Sequence, residues 1–172
     1  MVMYGKAHAE RNSKMKDAKD LLDLLLSKHL TLSVAESLTG GLLADAFVSV
    51  SGASRVFAGG AVCYQTPTKS AILGVNPHTI STFTVVSEEV AGEMAEGAAK
   101  QFSTPCAIST TGVAGPKGEN DPAPVGTVCV GLVAGEHTKT VTLHLDGDRS
   151  AIRCGAVRSA ISEMYDFVSE IL

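Results

Sequence analysis

The sequence predicts an α/β fold, a three-layer α/β/α sandwich with helices on both faces of a mixed central sheet. Three observations predict it. Apolar spacing switches repeatedly between the helical period and the alternation or short apolar runs of strands. Two neighbouring strand-like runs, about 126–134 and 139–145, are joined by a short turn at Gly135 and make a hairpin, whereas the other strands are separated by helices. No internal repeat or linker separates two cores along the 172 residues, so a single domain is expected.

Taken in order, residues 1–13 are polar and aperiodic and read as a flexible N-terminal arm, with a single domain over 14–172. A helix follows from about Lys14 to His29, with Met15, Ala18, Leu22 and Leu25 on one face. Leu30 to Val34 alternates like a strand entering a core, and Leu42 to Val48 carries apolar residues at helical spacing, in a helix that ends near Val50. Ser51 to Ser54 is a loop by composition, and a strand runs from about Val56 to Tyr64. Thr66-Pro67-Thr68 starts a short helix that stops at Gly74. Asn76 to Val86 gives one helical turn plus an extended connection. Ser87 caps a helix that opens with Glu88 and Glu89 and runs to about Phe102. Cys106 to Thr110 is a buried strand leading into a glycine-rich loop from Thr111 to Gly118. After the hairpin, Asp148 caps a last helix from about Ser150 to Ile171.

Composition narrows the partners. Apolar residues make up 45% of the chain and charged residues 19%, as in an ordinary globular protein. The formal charge of -4 gives no basic field for direct nucleic-acid binding, so any phosphate site is local. Cys63, Cys106, Cys129 and Cys154 form no close pair of the kind zinc sites use, and the histidines are equally scattered. The cysteines read as reduced, mostly buried thiols. No apolar run reaches membrane-span length and no signal-peptide stretch opens the chain, so the expected location is cytoplasmic.

Three features carry candidate chemistry. The first is Ala35-Glu36-Ser37-Leu38-Thr39-Gly40-Gly41, a serine, a threonine and two glycines at a strand-to-helix junction. The first amides of a helix lack internal partners and point at whatever lies beyond its mouth, which suits a phosphate or a developing oxyanion. Alternatively Ser37 or Thr39 only caps the helix. The second is Tyr64 to Lys69. A lysine in the first turn of a helix opposes the helix dipole, and with partial burial its pKa falls toward that of a general base. A serine needs such a base, because its hydroxyl is a poor nucleophile at neutral pH. Tyr64 relays the proton or holds the lysine in place. Alternatively Lys69 is a solvated surface residue. The third is a set of phosphate ligands: Thr111, Gly112, Ala114 and Gly115 past a strand end, and Arg149 and Arg153, four apart on one helix face. The loop is no Walker motif, and glycine loops and surface arginines often serve only turns and solvation. These residues suggest a nucleotide-sized ligand and an acyl-transfer serine.

The motifs Ala35 to Gly41, Tyr64 to Lys69, Leu73-Gly74-Val75, Val86 to Val90, Met94-Ala95, Gly112 to Pro116, Pro124 to Val128 and Gly147-Asp148-Arg149 stand in the order seen in the CinA C-terminal domain family. From about Leu22 to the C-terminus the chain resembles that family. Many members carry Cys where Leu38 stands, and Ser-Asn-Glu-Ala where this chain has Gln65 to Thr68. The family includes nicotinamide mononucleotide deamidases, which hydrolyse the carboxamide to nicotinic acid mononucleotide and ammonia. The resemblance implies Ser37 as nucleophile, Lys69 as base and Tyr64 assisting. It implies the amides around Thr39, Gly40 and Gly41 as oxyanion hole, and the Gly112–Gly115 loop with Arg149 and Arg153 as nucleotide ligands. No metal or cofactor is implied. A homo-oligomer is the expected assembly. The competing readings are a nucleotide-binding or regulatory module without useful turnover, and an interaction protein in competence or DNA-damage responses.

Overall fold

The computed structural model describes residues 15–172, so the arm expected over 1–13 and the first helical residue expected at Lys14 lie outside the described residues. The chain runs α1 (Ala18–Ser27), β1 (Leu32–Glu36), α2 (Leu42–Val48), a 3-10 turn (Ala53–Arg55), β2 (Phe57–Val62), α3 (Thr66–Leu73), α4 (Pro77–Phe83), α5 (Glu88–Phe102), β3 (Cys106–Gly112), β4 (Thr127–Ala134), β5 (His137–His144) and α6 (Arg149–Ile171). The sheet has the order β2-β1-β3-β4-β5. β1 is parallel to β2 and β3, and β4 is antiparallel to β3 and β5, so the sheet is mixed.

Both faces are covered, as short apolar strands with residues pointing either way require. Leu32, Val34, Ile108, Val130 and Leu132 pack against α1, α2 and α6. Ala35, Ala107 and Val133 pack with Val90, Met94 and Ala98 of α5 and Leu73 of α3. Leu21 and Leu25 of α1 are fully buried, and each contributes about 2 kcal/mol by leaving water. α5 lies unusually close to the sheet. A Cβ on Gly131 would stand 2.1 Å from the Ala91 carbonyl oxygen, and the Ser109 hydroxyl donates to that same carbonyl at 2.5 Å.

Helix starts and stops fall where their chemistry places them. The Ser87 oxygen accepts from Val90 N and the Asp148 carboxylate from Ala151 N, while Gly74 ends α3. Four differences from the sequence reading have physical causes. α1 begins at Ala18, because Asp17 and Asp20 form a reciprocal capping box there. β3 continues through Thr111 and Gly112, which pair with Cys129 and Val128 instead of opening a loop. β5 begins at His137, because a two-residue turn with Gly135 at φ +61° pairs His137 directly with Ala134. α4 is a two-turn helix with Pro77 at its start and Asn76 as its cap, and it buries no residue fully.

Candidate functional site

The site lies at the carboxyl ends of β1, β2 and β3, the usual place for ligands in open sheets with parallel strands. Ser37 directly follows β1, and its amide donates to the Thr110 carbonyl of β3 at 2.9 Å. The Cys63 amide donates to the Glu36 carbonyl at 2.8 Å, which ties the end of β2 to the same point. Lys69 leaves α3 one turn after its start and reaches back across this junction. Pro67 sits in the first turn of that helix, where its missing N–H costs nothing, so the altered 65–68 segment still presents the lysine.

Lys69 is 1% exposed. Its Nζ lies 3.0 Å from Ser37 Oγ, 2.7 Å from the Cys63 carbonyl oxygen and 3.4 Å from the Tyr64 carbonyl oxygen. Among the described residues no carboxylate forms an ion pair with it. Burial therefore pushes its pKa below the ordinary 10.5, opposed only by the Cys63 thiol. Nζ donates to the Ser37 hydroxyl oxygen and to both carbonyls, and on losing a proton it has a lone pair to turn toward the serine hydroxyl.

The mouth of α2 is not open to a ligand. α2 begins at Leu42, with Gly41 as its N-cap at φ +103°. Glu36, fully buried, fills the position in front of it. Its Oε2 accepts from the Gly41 and Leu43 amides at 3.0 Å each, and its Oε1 from the Ala44 amide at 2.9 Å. The Gly40 amide donates to the Ser37 carbonyl. The amides of Gly40 and Gly41 are thus engaged inside the turn, which corrects their expected role as oxyanion donors. Neither Ser37 nor Thr39 caps the helix. The Thr39 hydroxyl pairs with that of Thr110 at 2.8 Å and holds the turn against β3. Leu38, the residue after the serine, lines the cavity, and its amide has no hydrogen bond among the described residues. The same is true of Ala114.

The cavity measures about 260 Å³. Ser37, Tyr64, Lys69, Thr111, Gly112, Ala114, Gly115 and Arg149 all line it, whereas Thr39, Gly40, Gly41 and Arg153 do not. Arg153 instead donates from Nε to the Leu38 carbonyl at 2.8 Å and from Nη2 to the Thr39 carbonyl at 2.9 Å, so it pins the serine turn and does not reach the cavity. Arg149 donates from Nη1 to the Gly115 carbonyl at 2.6 Å and from Nη2 to the Tyr64 hydroxyl oxygen at 3.0 Å. The Thr111 hydroxyl donates to the Val85 carbonyl and brings the 85–86 connection in as a further wall. Asp121 adds a carboxylate to the lining, held by the Gly118 amide at 2.5 Å. Sequence reasoning missed Glu36, Val85 and Asp121. An acid immediately before the serine and five residues before the helix cap was the readable sign of the first.

Among the described residues no three His, Cys, Asp or Glu side chains gather as a metal site, and no helix is long and apolar enough to cross a membrane. Cys63, Cys106 and Cys129 are buried and Cys154 is exposed, all as free thiols. Burial pushes the Cys106 thiol up to about 11.

Strand order and site together define an α/β domain that sets a serine against a buried amine at the ends of its parallel strands. Residues 14–168 match the family model described as the CinA C-terminal domain, and the chain belongs to that family. It is 42% identical over 139 residues to a CinA-like protein of Fervidobacterium nodosum, covering 80% of this chain and 34% of that relative. A CinA-like protein of Kosmotoga olearia is 44% identical over 152 residues, or 88% of this chain and 36% of the relative. The chain thus spans about a third of the length of the curated relatives it matches. The crystal structure of a competence-damaged protein (CinA) superfamily protein from Enterobacter cloacae superposes with a TM-score of 0.86. It is 30% identical, covering 98% of this chain and 99% of that one.

Proposed function

We propose that this domain hydrolyses the carboxamide of nicotinamide mononucleotide to nicotinic acid mononucleotide and ammonia. The observation that carries the reading is the 3.0 Å separation of Ser37 Oγ and the buried Lys69 Nζ, whose pKa burial lowers. Ser37 Oγ attacks the carboxamide carbon while Lys69 takes the hydroxyl proton. Charge develops on the carbonyl oxygen, and the amides of Leu38 and Ala114, cavity-lining residues whose N–H groups have no partner among the described residues, are assigned as its donors. The resulting ammonium of Lys69 returns its proton to the amide nitrogen, the C–N bond breaks and ammonia leaves. A nicotinyl ester of Ser37 remains. Lys69 then takes a proton from water, the hydroxide attacks the ester carbon, and the Ser37 oxygen leaves with the proton that Lys69 carries. The products are the free acid and the starting serine.

The test is ammonia release with chromatographic detection of nicotinic acid mononucleotide. Ser37→Ala is expected to lower the rate by at least about 1,000-fold, as loss of a nucleophile does. Unchanged ammonia release in Ser37→Ala refutes the mechanism. Tight binding of the mononucleotide without turnover in the unaltered protein favours the regulatory-module reading instead.

A further inference from the structure

Tyr64 has two polar ends that face different partners. Its main-chain carbonyl faces Lys69 at 3.4 Å, whereas its hydroxyl oxygen accepts from Arg149 Nη2 at 3.0 Å. The residue is 57% exposed and lines the cavity. Arg149, the first residue of α6, is held at a second point by the Gly115 carbonyl at 2.6 Å. Its guanidinium thus bridges the end of β2 and the glycine loop. A guanidinium carries five N–H donors in a rigid plane, so two are used for orientation and three remain for a ligand. An untethered arginine must give up its rotamer freedom when it binds an anion, and two anchors remove much of that cost beforehand. Arg153, the other arginine on this helix face, is committed to the Leu38 and Thr39 carbonyls and does not line the cavity. Arg149 is therefore the cation that the cavity offers to a phosphate.

We propose that Tyr64 is a positioning residue for substrate recognition: its hydroxyl aims Arg149 at the phosphate of the mononucleotide and does not relay the proton between Ser37 and Lys69. This rests on the reading above that nicotinamide mononucleotide is the ligand. It assigns the two halves of the substrate to separate groups, the carboxamide to Ser37 and Lys69 and the phosphate to the Tyr64–Arg149–Gly115 bridge.

The experiment measures ligand affinity by calorimetry in Ser37→Ala protein, which binds without turnover. The ligands are nicotinamide mononucleotide and nicotinamide riboside, which share ring and sugar and differ by the phosphate. Tyr64→Phe, exposed and isosteric, is expected to weaken the mononucleotide about tenfold, as loss of a hydrogen bond to a charged group does, and the riboside by less than about twofold. In an Arg149→Met background, Tyr64→Phe is expected to add no further loss, because the two residues act as a unit. With Ser37 intact, Tyr64→Phe leaves the midpoint of the kcat–pH profile where it was. Equal weakening of both ligands, a full Tyr64→Phe effect without Arg149, or a displaced pH midpoint overturns the proposal. Absence of mononucleotide binding in Ser37→Ala itself overturns the substrate reading and this proposal with it. Mononucleotide binding that survives Tyr64→Phe undiminished overturns only the role of Tyr64.

Discussion

Removing the Glu36 carboxylate tests how the serine turn is held. Glu36→Ala deletes the three hydrogen bonds that the Gly41, Leu43 and Ala44 amides donate to its side chain. The Leu43 amide is buried and left unsatisfied, at about 2 kcal/mol. The Gly41 and Ala44 amides are partly exposed and recover water, so their loss is smaller. Loss of this buried carboxylate from the positive end of a helix adds up to about 2 kcal/mol. The sum is about 4 kcal/mol. At about 2–4 °C per kcal/mol for a chain of this size, the expected fall in Tm is about 12 °C. Glu36→Gln keeps the Oε2 position as an acceptor but turns an NH2 toward the Ala44 amide, so about half of that loss is expected. Thermal unfolding followed by circular dichroism reads both. A Tm within about 2 °C of the parent in Glu36→Ala would refute the assignment, since even one unsatisfied buried amide exceeds that shift.

Further outcomes follow from the buried amine, the close-packed helix and the hairpin turn. Lys69 is a base only when unprotonated, so kcat/KM is expected to rise with pH and level off at a midpoint below 10.5. Lys69→Arg, which stays protonated, loses about 100- to 10,000-fold. The folded pKa is below the unfolded one, so the unfolded chain binds the proton more tightly. Stability therefore rises between the lowered value and 10.5, and Lys69→Met flattens that part of a pH series of denaturant melts. Gly131→Ala places a Cβ 2.1 Å from the Ala91 oxygen and pushes α5 off the sheet. The expected cost is about 3 kcal/mol in a urea titration. Gly135→Ala, with nothing near its Cβ but φ at +61°, costs about 1 kcal/mol.

Much of this was legible in the residues. Ser87 with Glu88 and Glu89, Asp148 and Gly74 mark helix ends by local hydrogen bonding, and local bonding is what a sequence displays. The serine, the lysine and the glycine loop were legible as separate pieces by residue type. What escaped depended on long-range geometry. The Gly40 and Gly41 amides look available until the Glu36 carboxylate is seen to turn back onto α2. Arg149 and Arg153 share a helix face, yet one turn of rise separates a residue facing the cavity from one facing the serine turn. α4 carries start signals in Asn76 and Pro77 but buries no stripe, so periodicity could not reveal its length.

The two members of the reactive pair come from one continuous stretch, 37–69, while the cavity's far wall comes from 111–122 and from Arg149 at the head of α6. Apart from Tyr64, the wall that faces this pair is therefore encoded in a different part of the gene. The 113–126 connection can change length or charge, and so alter which small molecule is admitted, without moving the alcohol or the amine. Variation among homologous domains with an intact serine and lysine is expected to concentrate there, as new specificities mounted on an unchanged reactive centre.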